Sequence, residues 1–106
     1  MEKVRIEISE FAEAELKAEY LFYYEHYSSR YAERFRTDFY KQVAAILPHP
    51  EKFPECRFLS TKGKIYRNII WGNYLIIFRI RAQAIQVLTL FHTKQHPSKI
   101  KQTRSR

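Results

Sequence analysis

The sequence predicts a single α+β domain: an N-terminal strand, an antiparallel helical hairpin, and a three-stranded antiparallel meander that completes one sheet. Three observations lead there. Aliphatic and charged residues alternate at the start, two runs ahead of Pro48 and Pro50 carry apolar residues every three or four positions, and three β-rich runs follow in the second half. A chain of 106 residues buries roughly two thirds of its unfolded surface, enough for a core without staples or metal.

Val4, Ile6 and Ile8 alternate with Lys3, Arg5 and Glu7, so the aliphatics share one face of a short strand. Ser9 stops it and suits a helix N-cap, and Glu10 and Glu13 place negative charge in the first turn. The helix is expected to run to about Tyr27, with Ala12, Leu16, Tyr20, Tyr23, Tyr24 and Tyr27 along one stripe. Rings at this spacing read as core rather than as a stacking surface. After Ser28-Ser29, the residues Ala32, Phe35, Phe39, Val43, Ile46 and Leu47 define a second amphipathic helix. Pro48 and Pro50 end it, because proline lacks the amide proton and disfavours helical geometry before it.

The β-rich runs are Lys64 to Trp71, Tyr74 to Ile80 and Ala84 to His92, with Gly72-Asn73 as a hairpin turn between the first two. Alternation puts Tyr74, Ile76, Phe78 and Ile80 toward the helices. It leaves Leu75, Ile77, Arg79 and Arg81 on an open surface, apolar at one end and cationic at the other. In the last run both alternating sets are apolar, so its register stays open. Residues 1–97 are expected to form the domain, and residues 98–106 a basic, flexible tail.

Charge is divided along the chain. All 11 acids precede Cys56, whereas Arg57 onward carries 11 basic residues and no acid, so the last 50 residues sum to +11 and the first 56 to −3. Such asymmetry points to an anionic partner, nucleic acid or an acidic peptide, on the basic half. Membrane spans are excluded by the shortness of the apolar runs, and a disulfide scaffold by the lone Cys56. That cysteine and the lack of a charged-then-apolar leader point to the cytoplasm. His26, His49, His92, His96 and Cys56 lack metal-ligand spacing, so no metal and no cofactor are expected.

Particular residues carry a resemblance. The runs Tyr66-Arg67-Asn68-Ile69-Ile70, Asn73-Tyr74-Leu75-Ile76-Ile77-Phe78-Arg79-Ile80 and Val87-Leu88-Thr89-Leu90-Phe91-His92-Thr93-Lys94 match a pattern of three strands. The first bears an arginine, the second is led by a tyrosine, and the third closes on His-small-basic. With Ala12, Leu16, Ala32, Phe35 and the Leu47/Pro50 closure, the chain resembles the RelE/ParE toxin superfamily over nearly its whole length. The resemblance implies the toxin of a type II toxin–antitoxin module, silenced by a cognate antitoxin whose flexible segment wraps it. An acidic amphipathic segment would be steered by the basic half and would bury Leu75 and Ile77.

The superfamily divides by target, DNA gyrase or the ribosome with its mRNA. RelE-like members are metal-free mRNA endoribonucleases acting on the ribosome, chemistry that needs 2′-hydroxyl activation, cations for the pentacovalent phosphate and a proton for the leaving oxygen. The catalytic candidates here are Arg67, His92 and Lys94, with Lys62, Lys64, Leu75, Ile77, Arg79, Arg81 and His96 as partner- or nucleic-acid-binding residues. Arg67 and His92 also fit plainer roles, an ion pair to Glu19 or Glu25 and a structural hydrogen-bonding group. Nucleolytic relatives tend to carry arginine directly after the tyrosine that opens the middle strand, and often a tyrosine in the C-terminal segment. Here that position is Leu75 and no tyrosine follows Tyr74. ParE-like members poison gyrase by binding and need neither group, so the departures favour that branch. A basic nucleic-acid-binding module without toxicity is a third reading. No branch calls for a membrane or a small-molecule substrate.

Overall fold

The computed structural model describes residues 4–105; Lys3 of the opening alternation and Arg106 of the tail lie outside the described residues. Ser9 closes strand β1 (Arg5–Ile8) and caps helix α1 (Glu10–His26), its Oγ accepting from the Ala12 amide at 3.0 Å. Ser28 does the same for helix α2 (Ser29–Ala44), accepting from the Tyr31 amide at 3.0 Å. Between them the Tyr27 and Ser28 amides both donate to the Tyr23 carbonyl, which ends α1 in a tight reversal. A short 3-10 turn, Pro50–Lys52, follows α2.

Strands β2 (Tyr66–Trp71), β3 (Tyr74–Ile80) and β4 (Ala84–His92) form the meander. The sheet order is β1-β4-β3-β2; β1 runs parallel to β4 and the other pairs are antiparallel. Gly72, at φ +59°, takes the left-handed conformation that the two-residue turn needs. Strand β2 begins at Tyr66 rather than Lys64. Lys64 has φ 53° and closes a turn through its amide to the Thr61 carbonyl, which bends the backbone out of the ladder.

Helix-facing residues Tyr74, Ile76 and Phe78 join Ile69, Ile85, Val87 and Leu90 against Ala12, Leu16, Phe35, Phe39, Val43 and Ile46, with Ile80 packed at the margin. This is the core that the alternation predicted. The register of β4, open in the sequence, is set by a bulge: Ile77 pairs with Thr89 but Phe78 pairs with Val87, so Leu88 is the extra residue. Helix α1 holds the bulge in place. The Ser9 amide donates to Val87 O and its hydroxyl to Leu88 O, both at 2.9 Å, while Glu15 Oε1 accepts from Thr89 Oγ1 at 2.6 Å and from the Leu90 amide at 2.9 Å.

The opposite face of the sheet differs from the open surface expected for it. Ile77 is fully buried and Leu75 half-buried, because Cys56, Leu59 and Ile100 pack on that face with Tyr66, Leu88 and Phe91. The basic tail supplies part of this cover. Residues Pro97–Ser105 form a 3-10 helix whose Ile100 and Thr103 are fully buried, a three-residue spacing that three residues per turn brings onto one side. A search for α or β periodicity passes over such a segment. The α1 stripe also ends sooner than expected, since Tyr24 and Tyr27 are exposed, as is Leu47 at the end of the second stripe.

Phe39→Ala is expected to cost about 3–5 kcal/mol and Ile100→Ala about 2–5 kcal/mol, read from urea unfolding midpoints. A tail without fixed contacts would leave Ile100→Ala neutral. Glu15→Ala removes the acceptor of the Thr89 hydroxyl and the Leu90 amide, and is expected to cost about 1–3 kcal/mol by the same measurement, with fastest amide exchange gained at Leu90.

Candidate functional site

The cations of the second half gather at opposite ends of the sheet. Arg67 pairs across the ladder with Phe78, whereas His92 pairs with Tyr74 on the other side of β3 and four positions away, so the two are separated by about 13 Å along the strand direction and by two strand spacings across the sheet. The Arg67 guanidinium is committed. It donates to the carbonyls of Glu51 and Phe53 at 2.8 Å and of Lys64 at 3.2 Å, fastening the loop after α2 to the start of β2. Its partners are thus backbone oxygens rather than the Glu19 or Glu25 carboxylates. Lys62 and Lys64 lie exposed in the turn before β2, and Arg81 lies exposed in the turn between β3 and β4, where its amide donates to Ala84 O.

At the other end, His92 meets the Tyr74 ring edge-on at 4.9 Å, and its Nδ1 accepts from the Lys94 amide at 3.1 Å, which places the imidazole proton on Nε2. Lys94 and His96 are exposed beyond it, with His96 turned onto Ser98. Arg67, His92 and Lys94 therefore do not converge on one point.

Arg79 sits on the far face in a polar rung that crosses all four strands. Its Nε donates to Gln86 Oε1 at 2.9 Å, Gln86 Nε2 donates to Glu7 at 3.3 Å, and its guanidinium lies over the Tyr66 ring at 5.9 Å. The hydrogen bonds from Gln86 and Arg5 hold Glu7 below the ordinary carboxylate range.

On the helix side, a cavity of about 380 Å³ is lined by Ala18, Glu19, Phe22, Tyr23, Tyr74 and His92. A chain of hydroxyls enters it: Tyr74 donates to Glu19 Oε2 at 2.9 Å, so the 2.7 Å contact between the Tyr23 and Tyr74 hydroxyls has Tyr23 as donor. Burial, then the hydrogen bond that it donates to the Glu19 carboxylate, push the Tyr74 hydroxyl far above the ordinary phenol range. It stays protonated and acts as a hydrogen-bonding strut rather than a base. Sequence reasoning put Tyr74 on this face but missed the relay; the Glu19 and Tyr23 spacing of one helical turn was the available signal.

Among the described residues, both ion pairs lie within the first 36 positions, Arg5 with Glu7 and Arg36 with Glu33. No group of three His, Cys, Asp or Glu side chains is placed to hold a metal, and no helix is long and apolar enough to cross a membrane, again among the described residues.

A family model described as "ParE toxin of type II toxin-antitoxin system, parDE" matches residues 6–97. This chain belongs to the ParE toxin family. Among solved structures, the fold matches "Chromosomal ParDE TA system from P. aeruginosa" with a TM-score of 0.71 at 20% identity, covering 84% of this chain and 95% of that one. No curated protein matches the chain. The family match runs from Ile6 within β1 through β4 and stops where the C-terminal 3-10 helix begins. Within this ParE-type sheet, Leu75 lies half-buried against the second apolar cluster, a setting that suits an aliphatic side chain.

Tyr74 carries a pH prediction. Its folded pKa is raised, so the folded chain keeps a proton that an unfolded tyrosine releases near its ordinary value of 10.0, and stability is expected to fall as pH climbs past that value. Urea midpoints taken between about pH 8 and 11 should fall less steeply in Tyr74→Phe than in the parent chain. Equal slopes would mean that the hydroxyl is solvated.

Proposed function

We propose that this chain is the toxin component of a type II toxin–antitoxin module, neutralised by a cognate antitoxin, and that it acts in the cytoplasm by binding DNA gyrase rather than by cutting mRNA. Membership of the ParE family carries the toxin reading. The gyrase reading is supported by the disposition of the nuclease candidates. Cleaving RNA without metal requires a base, a cation and an acid within reach of one phosphate. Arg67 is spent on three carbonyls, His92 lies two strands away on β4 and about 13 Å off along the strand direction, and Leu75 occupies the position where nucleolytic relatives tend to carry arginine.

Inhibition by binding needs only a surface. Lys62, Lys64 and Arg81 at one end of the sheet and Lys94 and His96 at the other are exposed and pair with no carboxylate among the described residues. A positive field of this kind speeds encounter with an acidic antitoxin segment or with gyrase-bound DNA. Because the second apolar cluster already covers Ile77 and half of Leu75, the antitoxin would engage cations and the sheet margin rather than those two side chains.

Induced expression is expected to arrest growth, and co-expression of the antitoxin encoded beside it to restore growth. Purified toxin is expected to inhibit supercoiling by gyrase while leaving ribosome-associated transcripts without new 5′ ends. New 5′ ends with unaffected gyrase would replace this reading by the ribosome-dependent nuclease. Growth equal to an empty-vector control would leave the non-toxic nucleic-acid-binding module.

A further inference from the structure

The tip of the helical hairpin departs from the core role that its tyrosine spacing suggested. Tyr27 and Tyr31 are stacked on each other at 5.3 Å with their planes 25° apart, yet they remain 67% and 48% exposed. Tyr23 holds the pair from below at 5.6 and 5.0 Å and is itself braced by Phe35 at 4.8 Å, so the rings stand on a fixed base. An exposed aromatic cluster set on a rigid support is the mark of a contact surface rather than of a packing remnant.

Two guanidiniums flank the rings. Arg30 and Arg34 line a shallow depression of about 190 Å³ with Ser28 and Tyr31, and a second depression of about 250 Å³ opens between Arg34, Tyr31, Phe35 and Asp38. Neither arginine joins an ion pair among the described residues. The carboxylate between them in sequence, Glu33, is already taken by Arg36 at 2.6 Å and by the Tyr20 hydroxyl at 2.9 Å. Four residues apart on one helix, Arg30 and Arg34 are separated by about 6 Å along the axis, close to the phosphate repeat of an extended single strand.

We propose that this tip binds single-stranded nucleic acid, with a base stacked on the open face of the Tyr27–Tyr31 pair and adjacent phosphates held by Arg30 and Arg34. Exposed rings offer stacking only to bases that are not already stacked in a duplex, and guanidiniums supply the sequence-independent hold on phosphate. The site belongs to the acidic half of the chain, apart from the lysines and arginines of the sheet and its C-terminal helix. It goes beyond the gyrase reading and does not depend on it.

The test compares binding of a fluorescein-labelled oligothymidylate and of a duplex of equal length to the purified protein. Tyr27→Ser with Tyr31→Ser is expected to weaken single-strand binding about tenfold or more for each base that loses its ring, and to leave duplex binding unchanged. Tyr27→Phe with Tyr31→Phe keeps the rings and is expected to bind like the parent chain. Arg30→Gln with Arg34→Gln should make the fall of log K with log salt shallower by about 0.7 for each arginine. Irradiation of the unaltered protein with a bromouracil-substituted strand should place cross-links in residues 27–34, a readout that does not rely on any variant folding. Single-strand affinity unmoved by the serine pair, equal losses on duplex and single strand, or cross-links confined to residues 57–104 would each overturn the proposal.

Discussion

The fold depends on one irregularity, the extra residue at Leu88, and on the two side chains of the N-terminal segment that hold it. A bulge leaves backbone groups outside the ladder, and unpaired amides or carbonyls in a buried sheet cost more than most side-chain contacts return. Ser9 answers the carbonyls of Val87 and Leu88, while Glu15 answers the Leu90 amide and the buried Thr89 hydroxyl. Because Ser9 also caps α1, one residue fixes the end of β1, the start of the helix and the height at which that helix crosses β4. The bulge in turn lets β4 present Ile85, Val87 and Leu90 to the helices and Leu88 and Phe91 to the other side. Without it, strict alternation would turn half of these side chains to the wrong layer.

A central strand apolar on both faces obliges the molecule to cover both faces. The helical hairpin takes one. The other is covered by the loop carrying Cys56 and Leu59 and by Ile100 of the C-terminal 3-10 helix. Burial also raises the Cys56 thiol above its ordinary range, so the lone cysteine is packing material rather than a nucleophile. This cover moves the exposed cations outward to the two ends of the sheet and to the outer side of the last helix, where Lys99, Lys101 and Arg104 are exposed. Among the described residues both ion pairs lie in the acidic half, so these exposed cations have no carboxylate paired to them.

Element order, the helix-facing side of β3 and the Ser9 N-cap were legible because each rests on a local rule: period two, period three to four, or a hydroxyl before an acidic turn. The register of β4 was not, since a bulge inverts alternation within an apolar run and leaves no mark in composition. The fate of the tail was equally hidden; a single aliphatic, Ile100, followed by Thr103 carries almost no periodic signal until a cluster exists for it to join. For the site, residue types were legible and directions were not. Arg67 was chosen for its charge, yet its geometry belongs to the carbonyls of a loop, and no sequence pattern announces where a guanidinium will find three backbone oxygens. Tyr27 shows the converse. Its helical spacing argued for burial, but it caps the end of α1 with the rings of Tyr23 and Tyr31 against it, and a stripe buries only as far as there is something beneath it.

The same fixed frame limits which charged groups are left for recognition. A residue that stabilises the fold through its charge, as Arg67 and Arg79 do, is not free to act on a phosphate without loosening the loop or the rung it holds. Groups available for recognition must therefore come from positions that hold nothing else in place, which here include the exposed lysines and Arg81 at the sheet's ends and the arginines beside the tyrosine stack at the hairpin's tip. These positions lie on different elements, so one partner can be engaged at the sheet's margin while another is held at the helices. Two ligands bound at such separate surfaces would be coupled only through the core between them.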